Sequence, residues 1–151
     1  MSIESKVLGQ QVAYPTDYCP SILVPVPRSL NREIYDIHTP EELFWGFDTW
    51  HAYEAGFLAR NGLPVCGVLK LVYPANSPCI VESKSLKLYL NSLNMTRLGE
   101  DTPSGVETYL QIVKSDLEQI LQTRVEATFF RQAPEKPYFD FQDYTLLEAT
   151  P

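Results

Sequence analysis

Two long runs of β-favouring residues on either side of Asn61-Gly62 constrain this chain more than any other feature. From Trp45 to Leu58 one parity carries Trp45, Phe47, His51, Tyr53 and Phe57, and the other carries Trp50, Ala52 and Leu58. From Val65 to Tyr73 the β-favouring composition resumes, so the Asn-Gly turn signal between the runs predicts an antiparallel hairpin. Both of its faces are substantially apolar and both need cover. Helices of the same domain can supply one side. The other is expected to meet a second subunit or to line a barrel, which is how antiparallel sheets remove exposed edges. His51 reads as a hydrogen-bonded strand residue.

After the hairpin, Pro74 to Pro78 is turn-rich and reads as a mobile lip, and Cys79-Ile80-Val81 reads as a short strand end. A helix follows, with Leu86, Leu90 and Leu93 spaced to face the core and Lys84 and Lys87 left on other faces. Gly99 to Gly105 breaks the chain. A second helix is predicted from Ser104 with Glu107, or from Thr102 with Pro103, carrying the apolar ladder Val106, Leu110, Val113, Leu117, Ile120 and Leu121. Val125 to Arg131 alternates as a third strand, and Tyr138 to Leu147 is a weaker fourth after the Pro134 to Pro137 break. The fold class is therefore α+β, with about four antiparallel strands, two helices on one face and the order strand, strand, helix, helix, strand, strand. The domain proper spans residues 44–151. Ahead of it, residues 1–43 form an extended arm, because prolines at 15, 20, 25 and 27 remove backbone donors and Val26 to Arg32 shows no helical period. Its apolar residues Ile22, Leu23, Val24 and Val26 are equally suited to its own sheet and to a neighbour.

The residues with the most chemistry stand where strand gives way to helix: Glu82-Ser83-Lys84-Ser85-Leu86-Lys87-Leu88-Tyr89. A carboxylate there offers two fixed acceptors, while hydroxyls and ammonium groups crowd a helix start whose unpaired amides favour anions. One side suits a nucleobase edge, the other a phosphate. A purely structural alternative makes Ser83 a helix cap, Glu82 a first-turn acid and the lysines a solvated face. Composition narrows the partners. With 151 residues and 44% hydrophobic content the chain can build one real core. A formal net charge of -7 gives no electrostatic footprint for direct nucleic-acid binding and favours a small-molecule or protein partner. Cys19, Cys66 and Cys79 form no C-x-x-C pair, and with His38 and His51 as the only histidines no zinc-site spacing can be assembled, which implies a reducing cytoplasm and no metal. No apolar run approaches the ~20 residues of a membrane span, and Met1-Ser2-Ile3-Glu4-Ser5-Lys6 lacks a signal-peptide core, so a soluble, unexported protein is expected.

The element order, with a glutamate entering the first helix, resembles the tunnelling fold of the GTP cyclohydrolase I and pterin synthase superfamily, whose protomers close into barrels. Within that superfamily the octapeptide Glu82 to Tyr89 looks like the signature of the NADPH-dependent 7-cyano-7-deazaguanine reductases, the QueF family. The stretches Val26 to Arg32, Gly62-Leu63-Pro64 and Leu90 to Arg97 are similar to the N-terminal half of its bimodular members, and the likeness covers residues 10–131. It implies a role in queuosine tRNA-modification biosynthesis: reduction of a nitrile to a primary amine with two NADPH. In the bimodular branch a cysteine thiolate adds to the nitrile carbon and an aspartic acid donates the proton, both from the second half. No catalytic residue is therefore expected in this chain, and its cysteines read as structural or incidental. Carried over by position, Glu82 would accept the N–H donors of the nucleobase and Ser83 would add a contact, whereas Lys84, Ser85 and Lys87 would receive cofactor phosphates. The resemblance further implies the C-terminal half as partner, a homo-oligomer, 7-cyano-7-deazaguanine as substrate, and no direct nucleic-acid or membrane contact. Two other readings stay open at this point: a non-catalytic nucleobase-binding or assembly module, and a different tunnelling-fold enzyme acting on a pterin or GTP.

Overall fold

A computed structural model describes residues 15–38 and 45–132. The fourth predicted strand, Tyr138 to Leu147, and residues 1–14 and 39–44 lie outside that description. Strand β1 (Pro25–Pro27) and helix α1 (Ser29–Glu33) come from the arm. The hairpin strands are β2 (Phe47–Leu58) and β3 (Pro64–Pro74). After them come β4 (Cys79–Val81), α2 (Ser83–Ser92), α3 (Thr102–Leu121) and β5 (Glu126–Phe130). The α+β class holds, but the strands divide into two antiparallel sheets, β2-β3-β5 and β1-β4, and no closed barrel forms among the described residues. Among the described residues the single expected sheet is thus corrected to two, of three and two strands.

The hairpin forms as its composition requires, closed by Ala59 N–H on Leu63 O with Gly62 at φ 86° in the left-handed region. Its faces are sorted differently from simple alternation. Ala52 pairs with Leu69 and Ala55 with Gly67, so Tyr53 and Glu54 together oppose the single residue Val68. This bulge inserts one residue and inverts the side-chain parity beyond it. Trp50 and Ala52 point into the core before the bulge, Ala55 and Phe57 after it. Phe57 consequently leaves the exposed parity of Phe47, His51 and Tyr53 and stacks on Tyr109 at 5.5 Å.

Both helices cover the same side of the three-stranded sheet. Leu86 and Leu90 of α2, Leu93 at its C-cap, and Val113, Leu117 and Leu121 of α3 are buried in one core with Leu69, Leu71 and Phe57, as their spacing predicts. The predicted cap of α3 moves to Asp101, whose carboxylate accepts from Ser104 N–H while the Ser104 hydroxyl takes the Asp101 N–H. Just before it the chain turns back so tightly that a Cβ on Gly99, at φ 67°, would stand 2.1 Å from the amide nitrogen of Gly105.

The arm is only partly extended, since Ser29–Glu33 makes a five-residue helix that the sequence pattern did not signal. It lies on its own chain. Pro25 pairs with Val81 and Pro27 with Cys79, where prolines without donors suit a strand at a sheet edge. Leu23 and Val26 are buried beneath it. At its start Tyr18 and Tyr89 both donate to Oδ2 of Asp116, at 2.7 and 2.6 Å. Burial first, and then the neighbouring Asp116 carboxylate, push the Tyr18 hydroxyl from 10.0 up to about 12, and the same causes push Tyr89 up as well.

Two outcomes follow from this packing. In the folded chain these phenols keep their protons after the unfolded chain has begun to lose its own near pH 10, so stability declines as pH rises from about 10 toward 12. Urea midpoints measured across that window should fall, and Tyr89→Phe should make the decline shallower; an equal slope would detach it from this cluster. Separately, Gly99→Ala must combine a strained φ with a backbone clash and is expected to cost about 3 kcal/mol by urea unfolding. Wild-type stability would mean that the loop relaxes freely.

Candidate functional site

The junction between β4 and α2 is built around Glu82. Its backbone is extended, at φ -73° and ψ 131°, and its side chain folds back over the first turn of α2. Oε1 accepts the Lys84 N–H at 2.9 Å and Oε2 accepts the Ser85 N–H at 2.7 Å. Glu82 is therefore the helix cap, a role that the structural alternative had given to Ser83, and its negative charge sits on the positive end of the helix dipole. Each oxygen uses one acceptor site in this way and keeps another. Two of the leading amides of the helix are taken by this cap.

The other signature residues separate into outward and inward sets. Ser83 and Lys87 are exposed, Lys84 is half-buried, and Lys87 Nζ lies 3.6 Å from Glu54 on the β2 bulge. Ser85 turns inward and is fully buried. Its hydroxyl donates to Glu82 O at 2.8 Å and accepts the Val24 N–H at 3.1 Å. Seven residues on, buried Ser92 repeats the device, donating to Tyr89 O and accepting the Cys19 N–H at 3.1 Å. Two serines on one face of α2 thus act as acceptors for the arm, and Glu82 N–H donates to Val24 O at 3.0 Å. The junction holds the arm against the helix whose end it caps.

Behind Glu82 stands a support that sequence reasoning missed. Arg28 is ion-paired with Asp48 of β2, donates to Ser77 Oγ at 3.0 Å, and lies 6.0 Å over the Tyr73 ring. The Tyr73 hydroxyl accepts from Trp50 Nε1 at 2.9 Å and from Val81 N–H at 3.5 Å, one residue before Glu82. Burial pushes that phenol above its ordinary value. The 74–78 connection expected to be a mobile lip is pinned by the same contacts, with Ser77 buried and donating to Cys79 O at 2.9 Å. The only signal for this support was Arg28 within the Val26 to Arg32 stretch. Cys66 is exposed, Cys19 and Cys79 are half-buried, and among the described residues no three His, Cys, Asp or Glu side chains gather to hold a metal. Also among the described residues, no helix is long and apolar enough to cross a membrane.

Comparison with known proteins adds to this geometry. The family described as "Nitrile reductase, 7-cyano-7-deazaguanine-reductase N-term" matches residues 14–129. A protein of Acinetobacter baumannii named NADPH-dependent 7-cyano-7-deazaguanine reductase is 41% identical over 131 residues, covering 87% of this chain and 46% of the relative. Its namesake in Psychrobacter cryohalolentis is 40% identical over 131 residues, 86% of this chain and 44% of the relative. That of Bordetella pertussis is 48% identical over 98 residues, 65% of this chain and 36% of the relative. The chain spans about half the length, or less, of the curated relatives it matches.

Because Glu82 caps α2, its substitution tests the junction without any ligand. Glu82→Ala should lower stability by about 1 kcal/mol, whereas Glu82→Asp supplies a favoured cap and should stay near wild type. Urea unfolding reads both; an alanine variant as stable as wild type would show that the cap contributes nothing.

Proposed function

The chain belongs to the family of N-terminal 7-cyano-7-deazaguanine-reductase modules, and from that membership we propose that it is the N-terminal module of an NADPH-dependent nitrile reductase that converts 7-cyano-7-deazaguanine to its aminomethyl product. The reading is carried by one observation: Glu82, with two acceptor sites to spare, stands within about a turn and a half of Lys84 and Lys87 at the start of one helix. A deazaguanine edge with adjacent N–H donors complements the two carboxylate oxygens, and Ser83 is exposed beside them to add a contact. The cap fixes the carboxylate before a ligand arrives, which limits the rotamer freedom lost on binding.

The donor set also suits an anionic dinucleotide. Lys84 and Lys87 would hold its phosphates as point charges, and NADPH would supply hydride for the reduction. Ser85, buried under the arm, would serve that end by keeping the helix and the arm together. The sheet order β2-β3-β5, with both helices on one side, supports assignment to the tunnelling fold, with barrel closure left to assembly with other subunits. The cysteine nucleophile and the acid would come from a C-terminal half, because Cys66 is on the β3 register opposite Gly56, Cys79 is held in the β1-β4 pair, and Cys19 lies in the arm. We assign the assembled enzyme to the cytoplasm as a homo-oligomer acting on the free base in queuosine biosynthesis, without direct nucleic-acid contact.

Mixed with the nitrile substrate and NADPH, the chain alone should cause no loss of nicotinamide absorbance and form no covalent adduct detectable by mass. Adding a C-terminal-half polypeptide should restore both. Steady turnover by the isolated chain would overturn the division of labour, and failure of the reassembled halves would overturn the reductase reading.

A further inference from the structure

A cavity of about 460 Å³ opens between the β2 bulge, the start of β3 and the end of α2. Its walls include Tyr53, Glu54, Cys66, Asn91, Asn94 and Met95, none of which the proposed reaction uses. It is large enough for a heteroaromatic ring and its ribose, and most of its lining is apolar with a few polar groups, the usual make-up of a small-molecule site. It also lies on the path of the signature helix. Lys84, Lys87, Asn91 and Asn94 follow one another at spacings of three, four and three, which places them in one stripe along the helix and its last turn. The stripe runs from cations to carboxamides.

We propose that this cavity is the adenine subsite of the dinucleotide whose phosphates Lys84 and Lys87 receive, with Asn91 and Asn94 reading the base and Tyr53 stacking on it. The proposal rests on the cofactor reading given above. Asn94 Nδ2 donates to Asn91 Oδ1 at 3.4 Å, and this bond orients the two amides head to tail. The pair then presents the Asn91 amide hydrogens beside the Asn94 carbonyl oxygen, a donor next to an acceptor. Adenine shows the complement, an amino donor next to a ring-nitrogen acceptor. Gly56 makes room for this arrangement: a Cβ there would stand 3.2 Å from Asn94 Oδ1 and 3.6 Å from Cys66 Sγ. The Tyr53 ring is 76% exposed at the rim, on the outward parity that Phe47 and His51 share before the bulge, so its face is open to a base. Glu54 beside Lys87 offers an acceptor to a ribose hydroxyl.

Distances along the helix suit a nucleoside. From Lys87 to Asn91 the helix rises about 6 Å, roughly the separation between a phosphate and the base on the same nucleoside. The amino donor beside a ring-nitrogen acceptor selects the adenosine end for the bulge, and the reducing end is left to the Glu82 side of the lysines, toward the anchored substrate.

Cys66 gives a positional probe that does not depend on any mutant. Alkylation of the chain with iodoacetamide, mapped by peptide mass, should slow at Cys66 by about tenfold or more with saturating NADP+ or ADP and remain unchanged with nicotinamide mononucleotide; Cys19 and Cys79 should be unaffected. In Asn91→Ala/Asn94→Ala the concentration of ADP or NADP+ needed for protection should rise by about tenfold, as expected for loss of one bidentate base contact. If calorimetry shows NADP+ binding while Cys66 stays unprotected, or while the double variant binds it equally well, the subsite is wrong and the cofactor reading survives. If neither NADP+ nor ADP binds the chain, the subsite falls together with this module's share of cofactor binding.

Discussion

The carboxylate of Glu82 closes the first turn of α2 with both of its oxygens, and most of what surrounds the junction is arranged around that closure. A helix that begins directly after a strand has no room for a separate capping loop, so its orphan amides must be satisfied by the residue at the turn itself. Glutamate reaches two of them at once. Its own amide and carbonyl are used as well, the first by Val24 of the arm and the second by the Ser85 hydroxyl and the Leu86 amide. One residue therefore joins arm, strand and helix. The direction in which its carboxylate faces is set by three elements rather than by its own rotamer preference.

The arm shows how this arrangement is held in place. A proline-rich segment cannot extend a sheet far, because each proline removes a donor. Here the three-residue pairing of β1 with β4 is prolonged by side chains: Ser85 and Ser92 offer hydroxyl acceptors to Val24 and Cys19, and the phenols of Tyr18 and Tyr89 meet on Asp116. Buried polar groups are costly unless paired, and each of these is paired. An exception is the Tyr109 hydroxyl, buried without a partner among the described residues, where aromatic packing against Phe57 and Phe129 holds the ring.

Much of this was legible in the amino-acid order, and the parts that were not share a cause. Period and turn chemistry exposed the hairpin, the two amphipathic helices and β5, because burial imposes a repeat on the sequence. The β2 bulge left no such trace: one inserted residue at Tyr53-Glu54 reverses which aromatics are inside, and composition does not reveal a register shift. Helix α1 is too short to show a period. At the site, Glu82, Lys84 and Lys87 were picked out by residue type, and their clustering at a helix start is what the structure displays. Ser85 has the same composition as its exposed neighbour Ser83, and only its angular position on α2 sends it into the core. Arg28, Tyr73 and Ser77 reach the junction through contacts across long stretches of sequence, which no local pattern encodes.

Electrostatics raises a last question, since a chain of net charge -7 is proposed to hold an anionic cofactor. Mean charge acts over long range and is screened within about 8 Å at physiological salt, so the outcome is decided by the few groups nearest the ligand. The closest potential repulsion comes from Glu82, yet its carboxylate lies against the positive end of the helix, where two amide hydrogens draw its field inward. Glu54 is the other nearby acid. Its contact with Lys87 is a solvent-exposed pair at 3.6 Å, the kind worth about 0–1 kcal/mol, and a phosphate can displace it at little cost. The same helix start can accordingly keep a carboxylate for a base and lysines for phosphates within about a turn and a half, because capping directs the one charge into the protein while Lys87 is exposed and Lys84 half-buried.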